Sequence, residues 1–219
     1  PDGPYDFDTV TDDLGALFDE LALDRPIVVG QSWGGNVALA LGVRHPERAR
    51  GLAFVDGGFI DLQARPQGDW ASIERDLKPP SLAGVRADDL RARLRHFHPE
   101  WSQTGIDGIM RNFEILPDGT IRPWLSLDRH MQILHAIWQQ RPTALYPQVK
   151  APVYIAIAED DRDAGRLESQ RKQVAAAEAG LPHVQVERYP ATDHDIHVHR
   201  PVELSAALLN ELDEGIWSA

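Results

Sequence analysis

Residues 28–39, VVGQSWGGNVAL, place one serine among three glycines, between an apolar run and a helix-like run. Within this stretch, Gly30 to Gly34 match G-x-S-x-G, the pattern of a nucleophile elbow, in which a serine occupies a sharp turn between a strand and a helix. The five residues alone are a weak signal, because glycine collects at turns and serine is a common residue. Their meaning therefore depends on the segments on either side.

Those segments supply the context that an elbow requires. Residues 26–30, PIVVG, form a short β-branched apolar run that predicts a parallel strand buried on both faces. Residues 36–45 have a helical pattern. We therefore expect Ser32 to be a nucleophile and the backbone N–H of Trp33 to be an oxyanion donor at the start of the helix. Side chains two residues before and after Ser32, in place of Gly30 and Gly34, are expected to clash.

The rest of the chain alternates between strands and helices, which predicts a mostly parallel, doubly wound α/β sheet. A first helix is predicted over 8–23, a buried strand over 51–55 and another over 151–161, which ends in acids. Helices at 167–180 and 201–215 flank a strand at 183–189, whose alternating pattern is typical of a sheet edge.

Between the predicted strands at 51–55 and 151–161 the sequence pattern of the chain changes. No buried-strand run occurs over residues 59–149, and this part predicts helices at 87–97 and 126–138 and a hairpin around Pro117-Asp118-Gly119. The expected organisation is a core of 1–58 and 150–219 with a mainly helical cap of 59–149. Four tryptophans of this insert are candidates to pack it onto the sheet or to roof a pocket for an apolar or aromatic group: Trp70, Trp101, Trp124 and Trp138.

Composition excludes several functional classes. The 219 residues carry a formal net charge of −12, which disfavours nucleic acid and anionic lipid as partners. Cysteine is absent, so there is neither a disulfide nor a thiolate metal site, and a cytoplasmic location is the expectation. No run of eighteen apolar residues occurs, so no membrane span is predicted. No cofactor is implied.

A serine nucleophile needs a histidine base and an acid that orients it, and both have candidates after predicted strands. The candidate acids at the end of the strand at 151–161 and just beyond it are Glu159, Asp160, Asp161 and Asp163, and the candidate bases after the last strand are His194, His197 and His199. Asp56, which ends the strand after the elbow, is an alternative acid. The three histidines are also an alternative zinc-ligand set, since they fall within six residues.

Four motifs together resemble the serine-dependent α/β-hydrolase family with a helical cap, over nearly the whole chain outside the cap: GQSWGG after PIVV, LAFVDGG, APVYIAIAEDD and DHDIHVHRP. The resemblance implies Asp161 as the acid, three residues after Ala158, and His194 as the base, seven residues before Pro201.

The resemblance also implies an activity. Ser32 would attack an ester-like carbonyl of a substrate with an apolar group, and water would then release the acyl-enzyme. Acyl transfer to an alcohol or thiol on the same triad is one alternative, and a ligand-binding or receptor module with low turnover is another.

In the family the elbow follows the fifth of eight strands, whereas here one helix precedes its strand. The sequence-based expectation is therefore a core that lacks its N-terminal strands and the loop that carries a second oxyanion donor. A naturally short variant is the alternative.

Overall fold

The computed structural model describes residues 3–160, 162 and 164–218, with the side chains of Ala164 and Arg166 also left out. Strands and helices alternate on both sides of a long insert. The strands are β1 Ile27–Gln31, β2 Gly51–Val55, β3 Phe113–Ile115, β4 Ile121–Pro123, β5 Val153–Glu159 and β6 Val184–Pro190. The helices are α1 Phe7–Glu20, α2 Trp33–Arg44, α3 Trp70–Leu77, α4 Ala87–Phe97, α5 Gln103–Met110, α6 Leu127–Gln139, α7 Pro142–Leu145, α8 Ala164–Gly180, α9 Ile196–His199 and α10 Pro201–Asp213.

Four strands form a parallel sheet in the order β1-β2-β5-β6. Helices cover both faces. Phe18 of α1, Leu39 of α2 and Val174 of α8 lie in one buried cluster with Phe54 and Ile155 of the central strands. On the other face, a second cluster joins α10 and the C-terminal segment to the sheet through Leu204 and Trp217. The predicted doubly wound α/β class is confirmed.

The two outer strands differ from the two central ones in burial. β2 is buried throughout and β5 over all but its last residue, as their apolar runs predict. The prediction that residues 26–30 form a strand buried on both faces is wrong, because Val29 is 51% exposed. Among the described residues β1 pairs only with β2, so one of its edges has no neighbour. β6 alternates in burial, as expected of an edge strand.

The insert consists of helices and one hairpin. Three of its helices begin after a polar residue whose side chain accepts a backbone N–H in the first turn, namely Asp69, Ser102 and Ser126. The hairpin β3–β4 turns at the predicted Pro117-Asp118-Gly119. The division into core and cap stays a prediction. At the end of the insert, Tyr146 and Val149 lie in the buried cluster of the sheet.

None of the helices in the described part of the chain is long and apolar enough to cross a membrane.

Candidate active site

The carboxyl ends of the parallel strands bring three predicted side chains to one edge of the sheet. Ser32 directly follows β1, Asp56 directly follows β2, and His194 lies four residues beyond β6. This edge is where open α/β sheets place their binding sites. All three side chains line the same cavity.

Ser32 lies on the strained turn that the elbow pattern predicts. Its backbone has φ 53° and ψ −120°, a conformation that non-glycine residues rarely adopt outside functional sites. Its N–H donates to the carbonyl of Val55 at the end of β2 (2.9 Å), which fixes the turn to the neighbouring strand. Trp33 is the first residue of α2, so its N–H has no acceptor within the helix.

The glycines around Ser32 have unequal roles. A Cβ on Gly30 would overlap the backbone carbonyl of Gly34, so the expected clash is confirmed there. A Cβ on Gly34 would meet open space, and the expectation for that position is wrong. The second position that requires glycine is instead Gly35, where a Cβ would lie 2.6 Å from the backbone nitrogen of Gly58.

His194 is oriented by Asp56. Its Nδ1 lies 2.5 Å from Oδ2 of Asp56. Asp56 is 3% exposed, and its backbone has a positive φ of 45°. The other carboxylate oxygen accepts the N–H of Ala158 (3.2 Å) and the side-chain amide of Gln170 (2.7 Å). A carboxylate oxygen is a hydrogen-bond acceptor, so Nδ1 of His194 is the donor in this contact and Nε2 is the ring nitrogen that remains.

Asp161, the acid that the family spacing implied, lies outside the described residues, as does Asp163. Two other acids of that loop pair with arginines. Glu159 lies 3.4 Å from Arg171, and Asp160 lies 2.7 Å from Arg162. Among the described acids of the sequence analysis, Asp56 is therefore the one in contact with His194.

The remaining two candidate histidines, which both belong to α9, lie apart from this contact. His197 is exposed, and Nδ1 of His199 accepts the backbone N–H of Asp193 at 3.4 Å. Among the described residues the alternative zinc set does not form, because the ring nitrogens of the three histidines are not within ligand spacing of one another.

The cavity beside Ser32 has a volume of about 570 Å³. Its apolar wall comes largely from the insert, through Ile60, Leu62, Pro66, Leu77, Leu134 and Ile137. None of the four tryptophans considered as a roof is among its lining residues. Trp70 and Trp138 pack on each other, while Trp124 is 62% exposed.

Two glutamines near the site have no sequence signal that singles them out. The side chain of Gln31 donates to the backbone carbonyl of His194 (3.3 Å), and Gln170 holds Asp56 from α8. Both join segments that are far apart in the chain, and glutamine is too common in loops and helices for its position alone to predict such a contact.

Comparisons with known proteins agree with this architecture. A protein of Caulobacter segnis that carries the name of a carbamate hydrolase is 42% identical over 57 residues. A 2-hydroxymuconate semialdehyde hydrolase of a Pseudomonas strain is 41% identical over 61 residues. These segments make up 26% and 28% of this chain but only 21% and 22% of the relatives' own lengths.

The fold has a counterpart among solved structures. The crystal structure of E-2-(acetamidomethylene)succinate hydrolase matches with a TM-score of 0.74 at 20% identity, over 100% of this chain and 76% of that one. The family model described as the alpha/beta hydrolase family matches residues 1–207. With the elbow, the parallel sheet and this match in agreement, the chain belongs to the alpha/beta hydrolase family.

Proposed function

We propose that the protein is a serine hydrolase that cleaves an ester-like or otherwise activated carbonyl bond in a small, largely apolar substrate. The observation that carries this proposal is the pairing of His194 with the buried Asp56 in the same cavity as the strained Ser32. A serine hydroxyl is a weak nucleophile, and an oriented imidazole is the group that activates it.

The proposed reaction has two steps. Ser32 Oγ attacks the carbonyl carbon while His194 Nε2 takes its proton, and the N–H of Trp33 together with the start of α2 stabilises the oxyanion. His194 then protonates the leaving group, which departs and leaves an acyl-enzyme. His194 next takes a proton from water, which attacks the acyl carbon, and then gives that proton to Ser32 Oγ as the acid and the free serine are released.

Asp56 is assigned the role of the orienting acid. It keeps the imidazole in the tautomer with Nδ1 protonated and stabilises the imidazolium during each proton transfer. Its contacts with Ala158 and Gln170 support this role, because they hold the carboxylate still while one oxygen faces His194. Asp161 is the competing assignment, and the activities of Asp56→Asn and Asp161→Asn distinguish the two acids.

The side chains of the cavity wall support the proposed substrate class. Its aliphatic side chains favour an apolar acyl group, and Arg65 adds a positive charge to the wall. The names of the relatives, a carbamate hydrolase and a semialdehyde hydrolase, support a small organic molecule with an activated carbonyl. We propose that substrates with a carboxylate bind better than their neutral analogues.

A fluorophosphonate probe tests the proposal, since it phosphonylates only an activated serine. We expect labelling of the protein at Ser32 and its loss in Ser32→Ala. The control is Ser205→Ala, because Ser205 lies on the exposed side of α10 and, within the described part of the chain, its hydroxyl donates to the carbonyl of Pro201. An adduct mapped to another residue, or no adduct, would overturn the assignment.

A further inference from the structure

We infer that Asp193 is a positioning residue that ties the α4–α5 turn of the insert to the segment that presents His194. This inference rests on the proposed function, because it assumes that His194 is the base. Asp193 is 6% exposed and directly precedes His194 in the chain. Both of its carboxylate oxygens form hydrogen bonds. Oδ2 contacts the insert, and Oδ1 contacts the segment that carries His194.

The first oxygen holds the insert. Oδ2 lies 2.9 Å from Nδ1 of His98 and 3.1 Å from Nε1 of Trp101, and both nitrogens donate to it. The rings of these two residues stack with centroids 3.9 Å apart and an interplanar angle of 17°. One aromatic pair in the turn after α4 therefore presents two N–H groups to a single buried oxygen. Hydrogen bonds to a charged acceptor are the stronger kind.

The second oxygen holds the turn around His194. Oδ1 accepts the backbone N–H of Asp195 (3.2 Å), which closes a short turn with His194 at its centre. The carbonyl of His194 is fixed in addition by Gln31. The backbone that carries the imidazole is thus held on both sides, and Asp193 supplies one of these restraints.

Apolar packing joins the same two segments. Val198, in the short helix α9 after His194, is buried in a cluster with Trp101 and Ile106 of the insert. A Cβ on Gly105 would lie only 2.8 Å from Val198 Cγ1, so α5 and α9 are in close contact. Because the hydrogen bonds and the packing act between the same segments, a displacement of the α4–α5 turn is transmitted through Asp193 to His194.

Two variants test the inference through the rate of a p-nitrophenyl ester. Asp193→Asn keeps the shape but turns an N–H₂ group toward groups that are themselves donors. We expect its kcat to fall about tenfold, the effect of roughly 1.4 kcal/mol in the barrier, with KM within about twofold. Trp101→Phe removes one donor and keeps a ring, and its kcat should fall by about threefold, a loss of well under 1.4 kcal/mol.

The matched control is Trp217→Phe. Trp217 is also buried, and its Nε1 also donates to an oxygen, the carbonyl of Pro152, but this bond lies at the amino end of β5. We expect this variant to lose stability and to keep the kcat of the wild type. The proton NMR resonance of the hydrogen bond between His194 Nδ1 and Asp56 provides a second readout, which should shift or broaden in Asp193→Asn and stay unchanged in Trp217→Phe.

The outcomes separate this inference from the proposed function. If Asp193→Asn retains both the kcat and the His194 resonance of the wild type and only melts earlier, Asp193 is a structural residue and the inference is overturned. If Ser32 of the wild type is not labelled by the fluorophosphonate, the proposed function fails. The His194 resonance still reports in that event whether Asp193 positions the imidazole, because it requires no turnover.

Discussion

Nδ1 of His194 lies 2.5 Å from Oδ2 of Asp56, although the two residues are 138 positions apart in the chain. The contact forms because β2 and β6 both end at the same edge of a parallel sheet and are separated by β5 alone. It joins a histidine on a loop to an acid held rigidly against the end of β5 by the N–H of Ala158.

Replacement of Asp56 by asparagine should lower kcat by about 10⁴, because the amide favours the wrong imidazole tautomer. The comparison variant is Asp161→Asn, which we expect to retain most of the activity. Steady-state kinetics on a p-nitrophenyl ester measures both. A severe loss of kcat in Asp161→Asn together with a mild loss in Asp56→Asn would show that Asp161 is the orienting acid.

Replacement of His194 and replacement of His197 should have sharply different effects on activity. His194→Ala should reduce turnover by several orders of magnitude, as removal of a triad member does. His197→Ala should leave activity near that of the wild type, because this side chain is exposed.

Activity should also be unchanged by EDTA. Loss of activity in EDTA and its recovery with zinc would contradict the triad and favour the metal alternative.

Asn36 should be important for stability without taking part in the chemistry. It is fully buried in α2, donates to Gln140 (2.6 Å) and to the carbonyl of Ile60 (3.0 Å), and accepts the N–H of Gly58 (2.9 Å). Burial also raises the pKa of Tyr146, so its hydroxyl stays protonated and donates to the carbonyl of Gly58. These hydrogen bonds connect α2 to residues near both ends of the insert.

Asn36→Leu leaves several of these groups unsatisfied and should lower the free energy of unfolding by about 2–4 kcal/mol. Urea unfolding measures the change. The control is Asn210→Leu on the exposed side of α10, where we expect a change within about 0.5 kcal/mol. Equal stabilities of the two variants would show that these hydrogen bonds contribute little.

Arg65→Gln should change substrate preference. If the guanidinium binds a carboxylate of the substrate, KM for a carboxylate-bearing ester should rise about tenfold, in line with a lost charged hydrogen bond. KM for a neutral ester of the same size should change by less than about twofold, which is below 0.5 kcal/mol. Parallel kinetics with the two esters measures this difference, and an equal change for both would remove Arg65 from substrate recognition.

Local patterns in the sequence predicted the strained turn at Ser32 and the fold class. The elbow around Ser32 is readable because its turn needs glycine at Gly30 and a strand and a helix on either side, all within a dozen residues. The same holds for the turn of the hairpin at Pro117-Asp118-Gly119. Apolar periodicity predicted β2, β5 and β6 correctly, since burial in a parallel sheet imposes its own pattern.

Only the tertiary structure decided which side chains come into contact across the sheet. Asp56 and His194 follow strands that are far apart in the chain, so sequence spacing alone could not show that these two side chains are in contact. The link from Asp193 to His98 joins residues 95 positions apart and depends on how the insert folds back over the sheet. Exposure of β1 likewise depends on its neighbours, because an apolar run specifies a strand but not its place in the sheet. Long-range contacts arise from packing, which the local pattern does not encode.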